Sequence, residues 1–323
     1  MNRAEAPRQP PERRAPRSTL VGAAFLVALR AISACAADPA SGVSFIYQDR
    51  CIYVPARVND TADLLFLVDT GANASAIDAA AASRLHLRLS GTTKVEGTAG
   101  VIATGTTRLA SIAAGGHRAE RLEVTVQDLG GLPAAAGTRV EGILGYDFLR
   151  DVAMRVDFAG RHIAFLEHPP REARADSTRW FGIPMALDHG IPRVEAALDD
   201  SIPCPLRIDT GASLFDTPDV YVNITTPTWE RLRAADRAIT PVDSLHATGT
   251  GGEFSLPVAR VGRITIGAIR VESPFVIVQP PRGYFARADA VGFVSDNLLE
   301  RFSPVILDYA GRRLYLFRRV STP

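Results

Sequence analysis

The chain of 323 residues carries 36 Lys and Arg against 35 Asp and Glu, a formal net charge of +1. That balance, with no basic run after residue 20, lacks the electrostatic footprint of a nucleic-acid binder. Three cysteines without CxxC spacing and six histidines without HExxH leave no metal-ligand pattern, and P-loop, GxGxxG and GxSxG motifs are missing as well.

Residues 1–35 read as an export signal. Arg3, Arg8, Arg13, Arg14 and Arg17 precede the apolar run 18–29, and small residues follow at 30–40. Basic, apolar, small is the order of a signal peptide, and the apolar run is too short to span a bilayer comfortably. Arg30 departs from that layout. Ile32-Ser33-Ala34-Cys35 also fits a bacterial lipobox, which would lipidate Cys35; ordinary cleavage is the alternative. The expected location is outside the cytoplasm, periplasmic or membrane-anchored through an N-terminal lipid. Cys51 and Cys204 remain after processing, and either a bridge between them or two buried free thiols is compatible with the sequence.

From residue 43 onward the pattern is short, alternating and rich in turns, with 26 glycines and 22 prolines. It predicts a mainly β fold with few short helices. Strands are expected at 43–48, 51–58, 64–68, 121–126 and 162–166. Helices are expected at 75–85, at 146–152, at 226–237 with Thr226 as cap and Pro227 in the first turn, and at 296–302.

The chain repeats itself. "FLVDTGANAS" (66–75) and "PLRIDTGASL" (205–214) place Asp-Thr-Gly-Ala twice, 140 residues apart, each time after an apolar run. "GILGYDFL" (142–149) returns as "GFVSDNLL" (292–299), and "VDFAGRHIAFL" (156–166) as "LDYAGRRLYLF" (307–317). The alternating stretches 109–126 and 261–278 form a fourth pair. Four features recurring in one order indicate domain doubling, since the period is far too long for a solenoid. The expected halves are 42–168 and 179–319, joined by a polar, proline-containing linker at 169–178.

One aspartate from each of two matched halves suggests a specific chemistry. Two carboxyls held close together cannot both ionise easily, so they share a proton and titrate as a pair. The ionised member can take a proton from water while the protonated member donates to a carbonyl oxygen under attack. Asp69 and Asp209 are the candidates. Thr70 and Thr210 offer hydroxyls that can bond to the opposite loop's backbone, and Gly71 and Gly211 permit a sharp turn. Ala72 and Ala212 follow; unlike serine or threonine they cannot donate a hydroxyl to the carboxylate, which predicts activity at weakly acid to neutral pH.

These residues give the chain a resemblance to the retropepsin-like and pepsin-like aspartic proteases, which share a hydrophobic-Asp-Thr-Gly-[Ala/Ser] loop and a later apolar-apolar-Gly segment. The resemblance covers nearly all of 45–319. It implies two similar β-barrel lobes related by a pseudo-two-fold axis, a catalytic dyad of Asp69 and Asp209, a polypeptide substrate, no cofactor, and a monomer completed by its internal duplication. It also implies a β-hairpin flap over the cleft. The candidates are 95–108, with Gly97, Gly100 and Gly105, and 246–256, with Gly249 and Gly251. The first lacks the tyrosine of a pepsin-like flap, and Ser295 stands where the second copy's glycine is expected. A catalytically silent peptide-binding module and a purely structural protein are the alternatives to an endopeptidase.

Overall fold

The structure is a computed structural model that describes residues 42–97, 100–212, 217–249 and 252–318. The predicted signal segment with Cys35, and Gly251 of the second hairpin, lie outside those residues. Strands dominate and helices are few and short, so the fold is all-β. Among the described residues, no helix is long and apolar enough to cross a membrane.

Two eight-stranded sheets share one topology. In spatial order the first runs 46–48, 51–58, 62–68, 142–144, 76–78, 117–127, 101–114, 89–96. The second runs 186–188, 191–194, 206–208, 292–294, 221–225, 275–279, 252–260, 243–249. Every strand of one sheet has its counterpart at the same place in the other. In both, the strand before Asp-Thr-Gly is clasped by the Gly-apolar-apolar strand in parallel register, Val68 beside Leu144 and Ile208 beside Val294. The leading glycine of that motif is needed for space. A Cβ on Gly142 would lie 2.0 Å from the Phe66 ring, and one on Gly292 would lie 2.1 Å from the Asn223 carbonyl oxygen.

The halves differ in strand length. First-half strands such as Val101–Ala114 and His117–Gln127 run unbroken. In the second half, a separate four-stranded sheet (202–203, 196–198, 263–266, 269–272) splits off. Pro205 and Pro274 stand at two of the breaks, where a missing N–H interrupts a ladder.

A third sheet of six strands joins the halves, in the order 43–44, 162–166, 153–157, 305–308, 313–317, 180–184. Its centre pairs Met154 with Leu307 and Val156 with Val305. Exchanging the halves maps one pair onto the other, so the register itself obeys the two-fold relation. Beneath these sheets a continuous apolar core runs from Phe45 to Leu316 and includes Phe66, Ile77, Leu144, Met154, Ile208 and Val305. The segment between the repeats, 169–178, contains a short helix at Arg171–Ala175.

Local departures from the sequence pattern have physical causes. The expected helix at 75–85 begins as a strand, Ala76–Asp78, paired with Thr125–Gln127 and with Gly142–Ile143; only Ala79–Arg84 is helical. The helix expected at 146–152 is confined to Tyr146–Leu149. Helix Thr226–Ala235 is capped one residue earlier than expected, by Thr225, whose hydroxyl accepts from the Thr228 N–H at 3.3 Å. Cys51 and Cys204 are buried free thiols, and burial pushes the Cys204 thiol up to about 12.

Candidate active site

Asp69 and Asp209 stand at the tips of equivalent strands. The Asp69 N–H donates to the Leu144 carbonyl at 3.0 Å and the Asp209 N–H to the Val294 carbonyl at 2.9 Å. Each carboxyl is then held by its own loop: the Gly71 N–H donates to Asp69 Oδ1 at 2.8 Å, and the Gly211 N–H to Asp209 Oδ1 at 3.1 Å.

The loops interlock. The Thr70 N–H donates to the Thr210 hydroxyl and the Thr210 N–H to the Thr70 hydroxyl, both at 3.1 Å. Each hydroxyl donates onward at 2.7 Å, Thr70 to the Ile208 carbonyl and Thr210 to the Val68 carbonyl. All donors and acceptors of this closed, symmetric network are accounted for, as buried polar groups require.

The glycines show how near the two halves come. A Cβ on Gly71 would lie 2.5 Å from the Asp209 carboxyl carbon, and one on Gly211 would lie 2.2 Å from that of Asp69. Each glycine therefore lies against the other loop's carboxyl, and the two aspartates are in side-chain contact. Burial raises both carboxyls above their ordinary range, and for Asp69 the neighbouring Asp209 adds to the rise. The pair can hold one proton between them, a state competent for combined acid and base work.

The surroundings of the two carboxyls are unlike. Behind Asp209 lies Asp296, fully buried, with neither carboxyl oxygen accepting a hydrogen bond; burial and then the Asp209 charge push it well above the usual range. Arg50, ion-paired with Glu300, opposes that rise. Behind Asp69 the corresponding position is Tyr146, whose ring packs 6.0 Å from that of Tyr309. Ser295, in place of a glycine, is accommodated with extended backbone and is buried. In the first half a Cβ on Gly145 would meet the Ala74 backbone at 2.7 Å. The Cys51 thiol donates to the Gly211 carbonyl at 3.7 Å beneath the loop.

Both flap candidates lie on long antiparallel hairpins, 89–114 and 243–260. Gly97 and Gly100 form the described ends of the first turn, the Gly97 N–H donating to the Gly100 carbonyl at 2.8 Å. Gly105 sits inside the strand, opposite Thr92, and not at the tip. Gly249 ends the strand Asp243–Gly249 and pairs with Gly252. The Gly97 carbonyl accepts from the Tyr284 N–H at 3.1 Å, so the first hairpin reaches the second half.

Residues invisible as site candidates in the sequence also flank the dyad. Arg207 precedes Asp209 by two positions, gives Asp188 a 2.6 Å ion pair, and lies 3.7 Å from the centroid of the Tyr284 ring.

Residues 54–148 match the family model described as aspartyl protease. Among solved structures the chain is similar to a retropepsin-like aspartic protease from Rickettsia conorii, with 17% identity over 43% of this chain and 89% of that one, and a TM-score of 0.30. No curated protein matches. The matched residues 54–148 contain the first Asp-Thr-Gly-Ala loop and the Gly-apolar-apolar strand that clasps it, so over that stretch the chain is similar to an aspartyl protease.

Proposed function

We propose that the protein is an aspartic endopeptidase that hydrolyses peptide bonds with a water activated by Asp69 and Asp209, one carboxyl from each half. The observation that carries this reading is the mutual approach of the two half-buried carboxyls, each lying against the other loop's glycine. In the reaction the dyad begins with one proton. The ionised carboxyl takes a proton from water as its oxygen attacks the scissile carbonyl, and the protonated carboxyl gives its proton to the developing oxyanion. The carboxyl that took the water proton then gives it to the leaving amine as the C–N bond breaks, and the other carboxyl takes a hydroxyl proton back from the collapsing diol, which restores the singly protonated dyad. The fixed Thr70–Thr210 network keeps the carboxyls in place throughout.

An extended polypeptide is the substrate that suits a cleft between two β lobes, and the two hairpins at 89–114 and 243–260 would cover it. The internal duplication supplies both aspartates from one chain, so a monomer suffices. The order of basic, apolar and small residues before residue 36 supports export, with Cys35 as the point of lipid attachment in the anchored form.

The test is cleavage of an unfolded protein by the purified full chain across acid to neutral pH, beside Asp69→Asn and Asp209→Asn. Loss of cleavage in both variants, with the fold retained, supports the dyad. A folded wild type that binds peptides and cleaves none would make the protein a silent binding module.

A further inference from the structure

The walls beside the two aspartates are chemically different, although the backbone places them by the same rule. On an extended strand, residues two apart share a face. Leu67 therefore lies on the face of Asp69, and Arg207 on the face of Asp209. Directly opposite residues of an antiparallel pair also share a face. Tyr53 stands beside Leu67, and Arg193 beside Arg207. On the far side the parallel neighbours are Ile143 in the first half and Phe293 in the second. The first wall is thus Tyr53, Leu67 and Ile143, in an apolar cluster with Leu65 and Val140. The second puts two arginines, Arg193 and Arg207, directly opposite one another on neighbouring strands.

Like charges directly opposite on neighbouring strands destabilise a sheet unless something offsets them. Asp188 answers part of this demand: its Oδ2 accepts from Arg207 Nε at 3.0 Å and Nη2 at 2.6 Å. Among the described residues Arg193 reaches only Glu195, at 3.2 Å, through Nη2. Its Nε is buried with no partner, and Arg207 Nη1 donates to none of the described residues. Tyr284 packs against Arg207, and its N–H holds the carbonyl of Gly97 on the first hairpin. This wall therefore lies beside the dyad and under the hairpin that would cover a bound peptide. Asp188 and Tyr284 fix the Arg207 fork in place before any ligand arrives, which favours planar recognition of a carboxylate.

We propose that the second half selects substrates by charge: Arg193 and Arg207 receive an acidic side chain on one side of the scissile bond, while Ile143, partly exposed and backed by the buried Tyr53 and Leu67, receives an apolar one on the other. This rests on the endopeptidase reading and adds a substrate class to it, peptides with an acidic residue and an apolar residue flanking the cleaved bond.

The experiment uses peptides identical except at the bond, Leu–X and X–Leu with X as Glu, Gln, Leu or Lys. Rates are measured with the full chain at low and high salt. The same peptides with the scissile amide replaced by a hydroxyethylene group are titrated for binding. In one of the two orders, Glu should exceed Gln and Leu by about tenfold or more in kcat/KM, a difference of about 1.4 kcal/mol. High salt should shrink that margin. Arg207→Leu writes the first half's residue into the second and should turn the preference from Glu to Leu. Arg193→Leu leaves the Arg207–Asp188 pair intact and should weaken the preference for Glu, which guards against misfolding in the first variant. Cleavage with equal rates for all X, a preference for Lys, or a Glu preference surviving both substitutions overturns the proposal and leaves the endopeptidase reading standing. Glu-selective binding without cleavage of any peptide supports the charge-selective wall and removes the endopeptidase reading. Neither binding nor cleavage overturns both.

Discussion

Thr70 and Thr210 hold one another across the junction of the halves, each backbone N–H donating to the other's hydroxyl at 3.1 Å. Both are buried, and each hydroxyl donates a hydrogen bond to a strand carbonyl of the opposite half. Thr70→Val keeps the volume but strands the Ile208 carbonyl and the Thr210 N–H. The expected loss is about 1–3 kcal/mol in denaturant unfolding, the usual cost of leaving buried polar groups unpaired. Because the four bonds form one network, Thr70→Val with Thr210→Val should cost less than the sum of the two. Additive losses would mean the two threonines act independently. Thr→Ser at either position keeps the hydroxyl and should leave most of the stability in place.

The pH dependence follows from burial. Asp69 and Asp209 are both raised, first by desolvation and, for Asp69, next by its partner. The window in which the pair holds a single proton therefore moves upward from the ordinary carboxylate value of about 3.9. Turnover should peak at weakly acid to neutral pH. The backbone N–H groups of Gly71 and Ala72 oppose the rise at Asp69, but no hydroxyl follows the glycine in either loop. Ala72→Ser or Ala212→Ser adds a donor that favours the ionised form and should carry the acid limb of kcat/KM to lower pH. A wild-type maximum at strongly acid pH, or serine variants with an unmoved limb, would contradict this account.

Much of the fold was legible because each half must solve the same problem, a strand ending in a tight loop clasped by a second strand. That demand leaves Asp-Thr-Gly-Ala and Gly-apolar-apolar in the sequence twice. The Ala-rich stretch 75–85 reads as helix by propensity, yet Ala76–Asp78 is drawn into the sheet by strands on both sides, a tertiary effect that no local pattern records. In the hairpins formed by the repeated Asp-aromatic-Ala-Gly-Arg segments, 156–166 and 307–317, the left-handed positions belong to Arg161 and Arg312, at φ of 51° and 52°, and not to the glycines. Arg193 and Arg207 could not be read as neighbours because they are joined only by strand register. Nor did the sequence signal that Asp296 is wholly buried.

Asp296 should make the protein less stable as pH rises. Its carboxyl is buried, unpaired and raised by desolvation first and Asp209 second, with Arg50 opposing. Below about pH 3.9 it is protonated in both folded and unfolded chains and contributes no difference. As pH rises past that value the unfolded chain ionises and the folded one does not, so stability falls until the folded value is reached. Asp296→Asn removes this loss. The variant should gain on the wild type as pH increases, by about 1–3 kcal/mol at neutral pH. A constant gap between the two unfolding curves across that range would show that Asp296 ionises as freely in the folded protein as in the unfolded one.

Gly71 and Gly211 set the spacing of the dyad, and alanine at either should damage activity more than stability. The Cβ of Gly211→Ala would lie 2.2 Å from the Asp69 carboxyl carbon, and that of Gly71→Ala 2.5 Å from the Asp209 carboxyl carbon. Neither distance is tolerated, and the nearest movable atoms are the carboxyls themselves, at the ends of short side chains. Relief of the clash therefore pushes the aspartates apart, and a displacement near 1 Å can reduce turnover about a hundredfold. Separation also weakens the repulsion that helps raise Asp69, so its titration should move down toward the ordinary carboxylate range. The two effects are read together: kcat from peptide hydrolysis, and the Asp69 titration from carbon-13 NMR of labelled aspartate. An alanine variant with wild-type kcat and an unmoved titration would show that the loops can open by backbone shift alone, with the carboxyls carried along as a rigid pair.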